Sequence, residues 1–226
     1  MCLSKTHTTS YGKLKIGALL TNGADPDILE TYEAERRSVA KQLMNLDSRL
    51  VQAYEKQQKD TSSGIYEVRE QYAGFMAGVD VVYEHSILTA QERKHCDLNL
   101  AKNVQLGMRL QYVSIVYQCD GIAIHIAESL YGIRKGTVLL LSCSSYSQTP
   151  GARSICWIFQ RFSVHLITPW GGTTVRNQAY TGYGIDEGGP GSLVLCRPDQ
   201  HIAWIGSMED TAGLANYFSV IFGMHG

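Results

Sequence analysis

Six cysteines, at positions 2, 96, 119, 143, 156 and 196, are the first residues to weigh for chemistry. Their spacing contains no Cys-x-x-Cys and no paired histidines, which argues against a zinc ribbon and a thioredoxin-type dithiol. His95 and Cys96 are adjacent rather than spaced to share one ion, so no metal site is expected. Cys143, at the end of an expected strand, is the best thiol nucleophile. Nothing in the sequence supplies its histidine base, and packing of a strand end is the stronger reading. No Gly-x-Ser-x-Gly elbow occurs. Gly182, Gly184, Gly188, Gly189 and Gly191 precede a strand, whereas a phosphate cradle needs backbone amides at the start of a helix. They read as loop. Pattern alone therefore gives no catalytic, cofactor-binding or metal residue. Two features stand out instead. Glu33, Glu35, Arg36 and Arg37 form a dense cluster, read as a solvated helix face with Glu33 supporting Arg37. Trp204 lies beside the Arg197-Pro198-Asp199-Gln200 turn signal, and is equally an interface anchor or a filler of the local core.

These residues must be carried by elements that the pattern predicts. Asp25-Pro26 starts a long helix, because Asp caps free amides and Pro suits the first helical position. Apolar residues follow at Ile28/Leu29, Tyr32, Val39, Leu43, Leu46, Leu50 and Tyr54, mostly three or four apart, with charges between them. The polar run from Gln57 to Gly64 ends it. A second helix is expected over Ile65–Met76, then a turn at Gly78 and an extended stretch around Val79–Tyr83. From Val104 onward, short apolar runs bounded by Gly, Pro, Asp and Ser read as strands. They are Tyr112–Tyr117, Ile122–Ile126, Thr137–Ser142, Val164–Ile167, Leu193–Cys196 and His201–Ile205. The last two make an antiparallel hairpin around the Arg197–Gln200 turn. A final helix over about Glu209–Phe222 starts at Ser207 or Asp210. The fold class is α/β with an α+β tail: a helical segment over residues 1–100, then a mixed unit over 101–226.

Composition narrows the partners. The chain has 226 residues, 20 basic against 21 acidic, and a net charge of −1. Phosphate neutralisation needs a basic excess that is missing, so no nucleic-acid partner is expected. The 44% hydrophobic share and near-neutral charge are those of a folded chain with its own core. Ile16–Leu20 is too short for a signal peptide, and no apolar run reaches the ~20 residues that span a bilayer. The expectation is a cytoplasmic protein without a membrane partner.

The helix sequence Ala24-Asp25-Pro26-Asp27-Ile28-Leu29-Glu30-Thr31-Tyr32-Glu33-Ala34-Glu35-Arg36-Arg37-Ser38-Val39-Ala40 closely resembles a segment of FAD-dependent aromatic hydroxylases of the phenol 2-monooxygenase type. Ser38 departs from it, standing where the family usually has Pro. Gly107-Met108-Arg109-Leu110 with Asp120-Gly121 resembles the family's entry to its carboxy-terminal domain. Tyr183-Gly184-Ile185-Asp186 and the run Leu193–Gly206 are similar to a second signature. Leu214–Phe218 matches a closing helix, and Phe75–Ser86 resembles a segment with a central Gly and Tyr. The resemblance implies a thioredoxin-like carboxy-terminal domain without the redox cysteines, which contributes to dimerisation. It also implies FAD and NAD(P)H as the family's cofactors. The family's flavin-holding motifs have no counterpart here, so neither cofactor is expected to bind this chain alone. The chain is therefore read as a truncated hydroxylase that is not catalytic by itself. Its expected partner is a second copy or a flavoprotein. The alternative is a non-catalytic thioredoxin-like interaction module, with Arg197, Pro198, Asp199 and Trp204 at or near its contact.

Overall fold

The computed structural model describes residues 15–20, 24–57, 63–90, 96–116, 121–126, 137–141, 163–167, 177–186 and 189–222. Cys143, His95 and Asp120 lie outside these residues. The helical start forms as read: the Asp27 amide donates to Asp25 Oδ1 at 3.0 Å, opening a 3-10 turn over Pro26–Leu29. The turn continues into α1, Glu30–Gln57, which ends at the polar run. The second expected helix is two pieces, α2 (Ser63–Gln71) and α3 (Ala73–Ala77), with a break at Tyr72. Gly78 stops α3 in the left-handed conformation, φ 73°, its amide reaching back to the Gly74 and Phe75 carbonyls. α1 packs on α2, and Leu46, Ala53 and Ile65 are buried along this pair.

β1 (Ser114–Val116) and β2 (Ala123–His125) form an antiparallel pair, Ser114 facing His125. The main sheet has four strands in the order β4-β3-β5-β6: β3 is Thr137–Leu141, β4 Ser163–Ile167, β5 Ser192–Cys196 and β6 Ile202–Gly206. β3 and β4 are parallel, with Thr137 against Ser163, while β5 runs antiparallel to both β3 and β6. The β5–β6 hairpin is the one expected from its turn signal. Every residue of both strands is buried, so they read as continuous apolar runs.

One helix escaped the sequence reading. α4, Asn177–Tyr183, takes in Gly182, which had been read as loop. Its sequence offers only Asn177 as a start signal and a single turn of apolar spacing. Packing holds it instead, with Ala179, Tyr180 and Tyr183 in the core and Gly182 lying where a Cβ would press on Val113. The last helix, α5, covers Thr211–Phe222. Of its two candidate caps, Asp210 is the cap, its Oδ1 accepting from the Gly213 amide at 2.8 Å.

The strand alternation of β5 sorts the core onto two sides of the sheet. Val194 and Cys196 join Leu110, Ile126, Tyr180 and Tyr183. Leu193 and Leu195 join Trp204, Leu214, Phe218 and Ile221. Ala24, Ile28 and Leu88 belong to this second group, and the Asp25 amide donates to the Ile221 carbonyl at 2.9 Å. The start of the helical segment is thus part of the sheet's own core, across the boundary expected near residue 100.

Candidate functional site at the Arg197–His201 turn

The turn between β5 and β6 is closed by Gln200, whose amide donates to the Arg197 carbonyl at 2.9 Å with φ 67°. Segments far apart in the chain converge on it. Arg197 Nη1 donates to Glu35 Oε1 at 2.8 Å and Nη2 to Asp199 Oδ2 at 2.6 Å. The other Glu35 oxygen takes Lys15 Nζ at 2.7 Å, and Lys15 also donates to Thr31 Oγ1 at 2.6 Å. The Thr31 hydroxyl donates in turn to the Ile28 carbonyl, 2.7 Å away. His201 stacks on Tyr83 with ring centres 4.1 Å apart, and the Arg197 guanidinium lies 5.4 Å from the same Tyr83 ring. Arg109 completes the cluster, donating from Nη1 to the Gly78 carbonyl (3.0 Å) and from Nη2 to Gln200 Oε1 (3.3 Å).

Backbone pairing fixes these side chains in place. Leu110 donates to the Gln200 carbonyl at 2.7 Å, Ile202 to Met108 at 2.9 Å, Gly107 to Ile202 at 2.8 Å and Tyr83 to Gly107 at 2.9 Å. Gly107 has φ 79°, and a Cβ there would run into the Tyr83 carbonyl, so only glycine brings the strands this close.

The electrostatics are those of a closed, alternating chain: Lys15, Glu35, Arg197, Asp199. Their side chains are between 5% and 7% exposed. Burial at this depth penalises each charge, and only the neighbour of opposite sign offsets it. Burial works against ionised Asp199, yet Arg197 and His201 hold its carboxyl far below the usual range. Burial likewise opposes the Arg197 charge, and Asp199 and Glu35 keep it firmly protonated. Lys15 is pushed below its ordinary 10.5 by burial, against the pull of Glu35. His201 Nδ1 sits 3.2 Å from the Asp199 carbonyl oxygen, while its buried Nε2 has no hydrogen-bond partner.

Such a cluster fixes geometry rather than moving protons: its charges are saturated by one another. At the starts of the Pro26–Leu29 turn, the Leu98–Leu100 turn and α5, the carboxylates of Asp25, Asp97 and Asp210 accept from the free backbone amides. A groove of about 510 Å³ beside α1 is lined by Glu30, Glu33 and Glu84 together with Arg37 and Lys41. Among the described residues, no group of three His, Cys, Asp or Glu could hold a metal ion, and no helix is long and apolar enough to cross a membrane.

The four residues expected near a contact are not equivalent. Trp204 is wholly buried in the core. Arg197 and Asp199 point inward to the charge chain, and Pro198 alone is exposed. The charge cluster on α1 also needs correction. Glu33 and Arg37 do pair on the solvated face, but Glu35 is buried. The reason is phase: Ile28, Thr31 and Glu35, spaced three and four apart, share the buried stripe. That spacing was a usable signal, since a carboxylate on an apolar stripe requires a partner. Lys15 and its role carried no such signal.

Comparison with known proteins places this geometry. Residues 171–224 match the family described as "Phenol hydroxylase, C-terminal dimerisation domain". The chain is 26% identical over 250 residues to the FAD-dependent monooxygenase ankC of Aspergillus thermomutatus, covering 92% of this chain and 42% of that protein. It is 30% identical over 112 residues to the 3-hydroxybenzoate 4-monooxygenase of Comamonas testosteroni, covering 47% of this chain and 17% of that one. The fold is that of part of aklavinone-11 hydroxylase, solved with FAD and aklavinone: TM-score 0.57 at 20% identity, over 92% of this chain and 37% of the other. The chain thus spans less than half the length of these relatives. Residues 171–224 are similar to the carboxy-terminal dimerisation domain of phenol hydroxylases, and the chain as a whole is similar to FAD-dependent monooxygenases of the phenol 2-monooxygenase type.

Proposed function

We propose that this chain serves as the dimerisation part of an FAD-dependent aromatic hydroxylase, with a thioredoxin-like unit over residues 101–226 and a helical tail before it. The observation that carries the reading is the sheet itself. A parallel β3–β4 pair, an antiparallel β5–β6 hairpin and a closing helix α5, with the order β4-β3-β5-β6, support the thioredoxin-like reading. The match of residues 171–224 to a dimerisation domain supports a homodimer.

In this reading, hydroxylation of an aromatic or polyketide-like substrate with NAD(P)H and O2 belongs to the complete enzyme. FAD would supply the oxygen-activating chemistry, and positioning it against substrate is the work of residues other than those described here. This chain's own residues hold α1 to the sheet and present the dimer surface, in the cytoplasm. Purified chain mixed with FAD and NAD(P)H tests this. The expected result is no stoichiometric flavin binding and no flavin reduction; a bound flavin reduced by this chain alone would overturn the reading.

The module reading, in which the chain is a non-catalytic interaction domain that keeps the dimer surface, draws on the same dimerisation match. A strict monomer that pulls down no flavoprotein would count against it.

A further inference from the structure

The helices α1, α2 and α3 form a helical arm, and both of its roots rest on one turn of the sheet. The outgoing root is Glu35, in the second turn of α1, bound to Arg197. The returning root is Gly78, whose carbonyl is held by Arg109, itself bound to Gln200. Between these roots Met44 is 70% exposed and Val51 50%, and α1 packs chiefly on α2. The first turns are different: Ile28 lies in the core and Thr31 and Glu35 are buried.

We propose that the Arg197–Gln200 turn is a double clamp that makes the helical arm and the four-stranded sheet one rigid body, with Glu35 as the positioning residue that sets the arm's attachment. Two features of the site favour a clamp over passive packing. The Glu35 carboxylate spends both oxygens on cations from different segments, Lys15 and Arg197, so its loss leaves Lys15 without its buried counter-ion and Arg197 with Asp199 alone. The arm's length gives leverage: a 28-residue helix is about 42 Å long, so a small rotation at Glu35 displaces its far end by several ångströms. A clamp of this kind transmits the position of whatever the arm touches to the sheet, whether or not a flavin is involved.

Hydrogen exchange read by mass spectrometry separates the clamp from ordinary stabilisation. In the unaltered chain, amides over 31–39 and over 192–206 are expected to show protection of the same order and, with rising urea, to merge on one unfolding isotherm. In Glu35→Gln, protection over 31–39 is expected to fall at least tenfold below that over 192–206. A parallel loss in both segments, with their ratio unchanged, would make Glu35 merely structural and overturn the proposal, as would no change. Should Glu35→Gln not fold, the unaltered chain decides alone: a separate isotherm for 31–39 at low urea would overturn the clamp, and a shared one supports it.

Discussion

Glu35 and Arg197, 162 positions apart in the chain, meet in a 2.8 Å ion pair from which solvent is almost excluded. The pair joins the two stretches that most resemble the hydroxylase family, the start of α1 and the turn after β5. Its value is contextual. Removing one partner leaves the other with one buried counter-ion instead of two, an imbalance in a dry site that costs up to about 3–5 kcal/mol.

A double-mutant cycle of Glu35→Gln and Arg197→Gln is therefore expected to be strongly non-additive. Each single change lowers urea-unfolding stability by up to about 3–5 kcal/mol, and the coupling between them is about 1–3 kcal/mol. Additive losses would mean that the two side chains are not paired in solution.

Alkaline pH is expected to destabilise the chain from about pH 9 upward. Burial, then nearby Asp199, raises the Cys196 thiol far above its ordinary 9.0. Burial also raises Tyr183 and Tyr217 above 10.0. These groups stay protonated in the fold and lose protons when unfolded, so stability falls as pH rises past their unfolded values. Lys15 works the other way, since its lowered pKa makes the unfolded chain the better proton binder below 10.5. One opposing group does not cancel three. Thermal melts between pH 8 and 11 should fall steadily, and Cys196→Ala should shift the onset from about 9 towards 10.

At the acid end Asp199 dominates. Its carboxyl is held below the ordinary 3.8, so its contribution is complete above that value and is lost progressively as pH falls beneath it. Melts of Asp199→Asn between pH 5 and 2 should be flatter than those of the unaltered chain. An equal slope in both would place the acid sensitivity elsewhere.

Trp204→Ala is expected to cost about 3–5 kcal/mol, the loss for an aromatic side chain removed from a closed core. A cost under about 1 kcal/mol by urea titration would instead fit a surface anchor.

What could be read from the sequence follows from where its physics is local. The Asp25 cap, the polar end of α1, the Gly78 stop and the β5–β6 hairpin are each fixed by residues within a few positions of one another. α4 was not legible, because Asn177–Tyr183 is helical only through the partners its tyrosines find in the core. The clamp was half legible. Arg197 and Asp199 were singled out, but as contact residues rather than buried ones, and Glu35 was placed with Glu33 on the wrong face. Only the helical phase shared with Ile28 and Thr31 distinguishes the two glutamates, and no local pattern links either to Lys15 or Arg197.

The most direct test of the proposed role is the mass of the purified chain in solution, followed by sedimentation equilibrium over a hundredfold range of concentration. A dimer with the mass of two chains, persisting at the low end of the range, is the expected result. A strict monomer at every concentration would contradict a dimerisation unit.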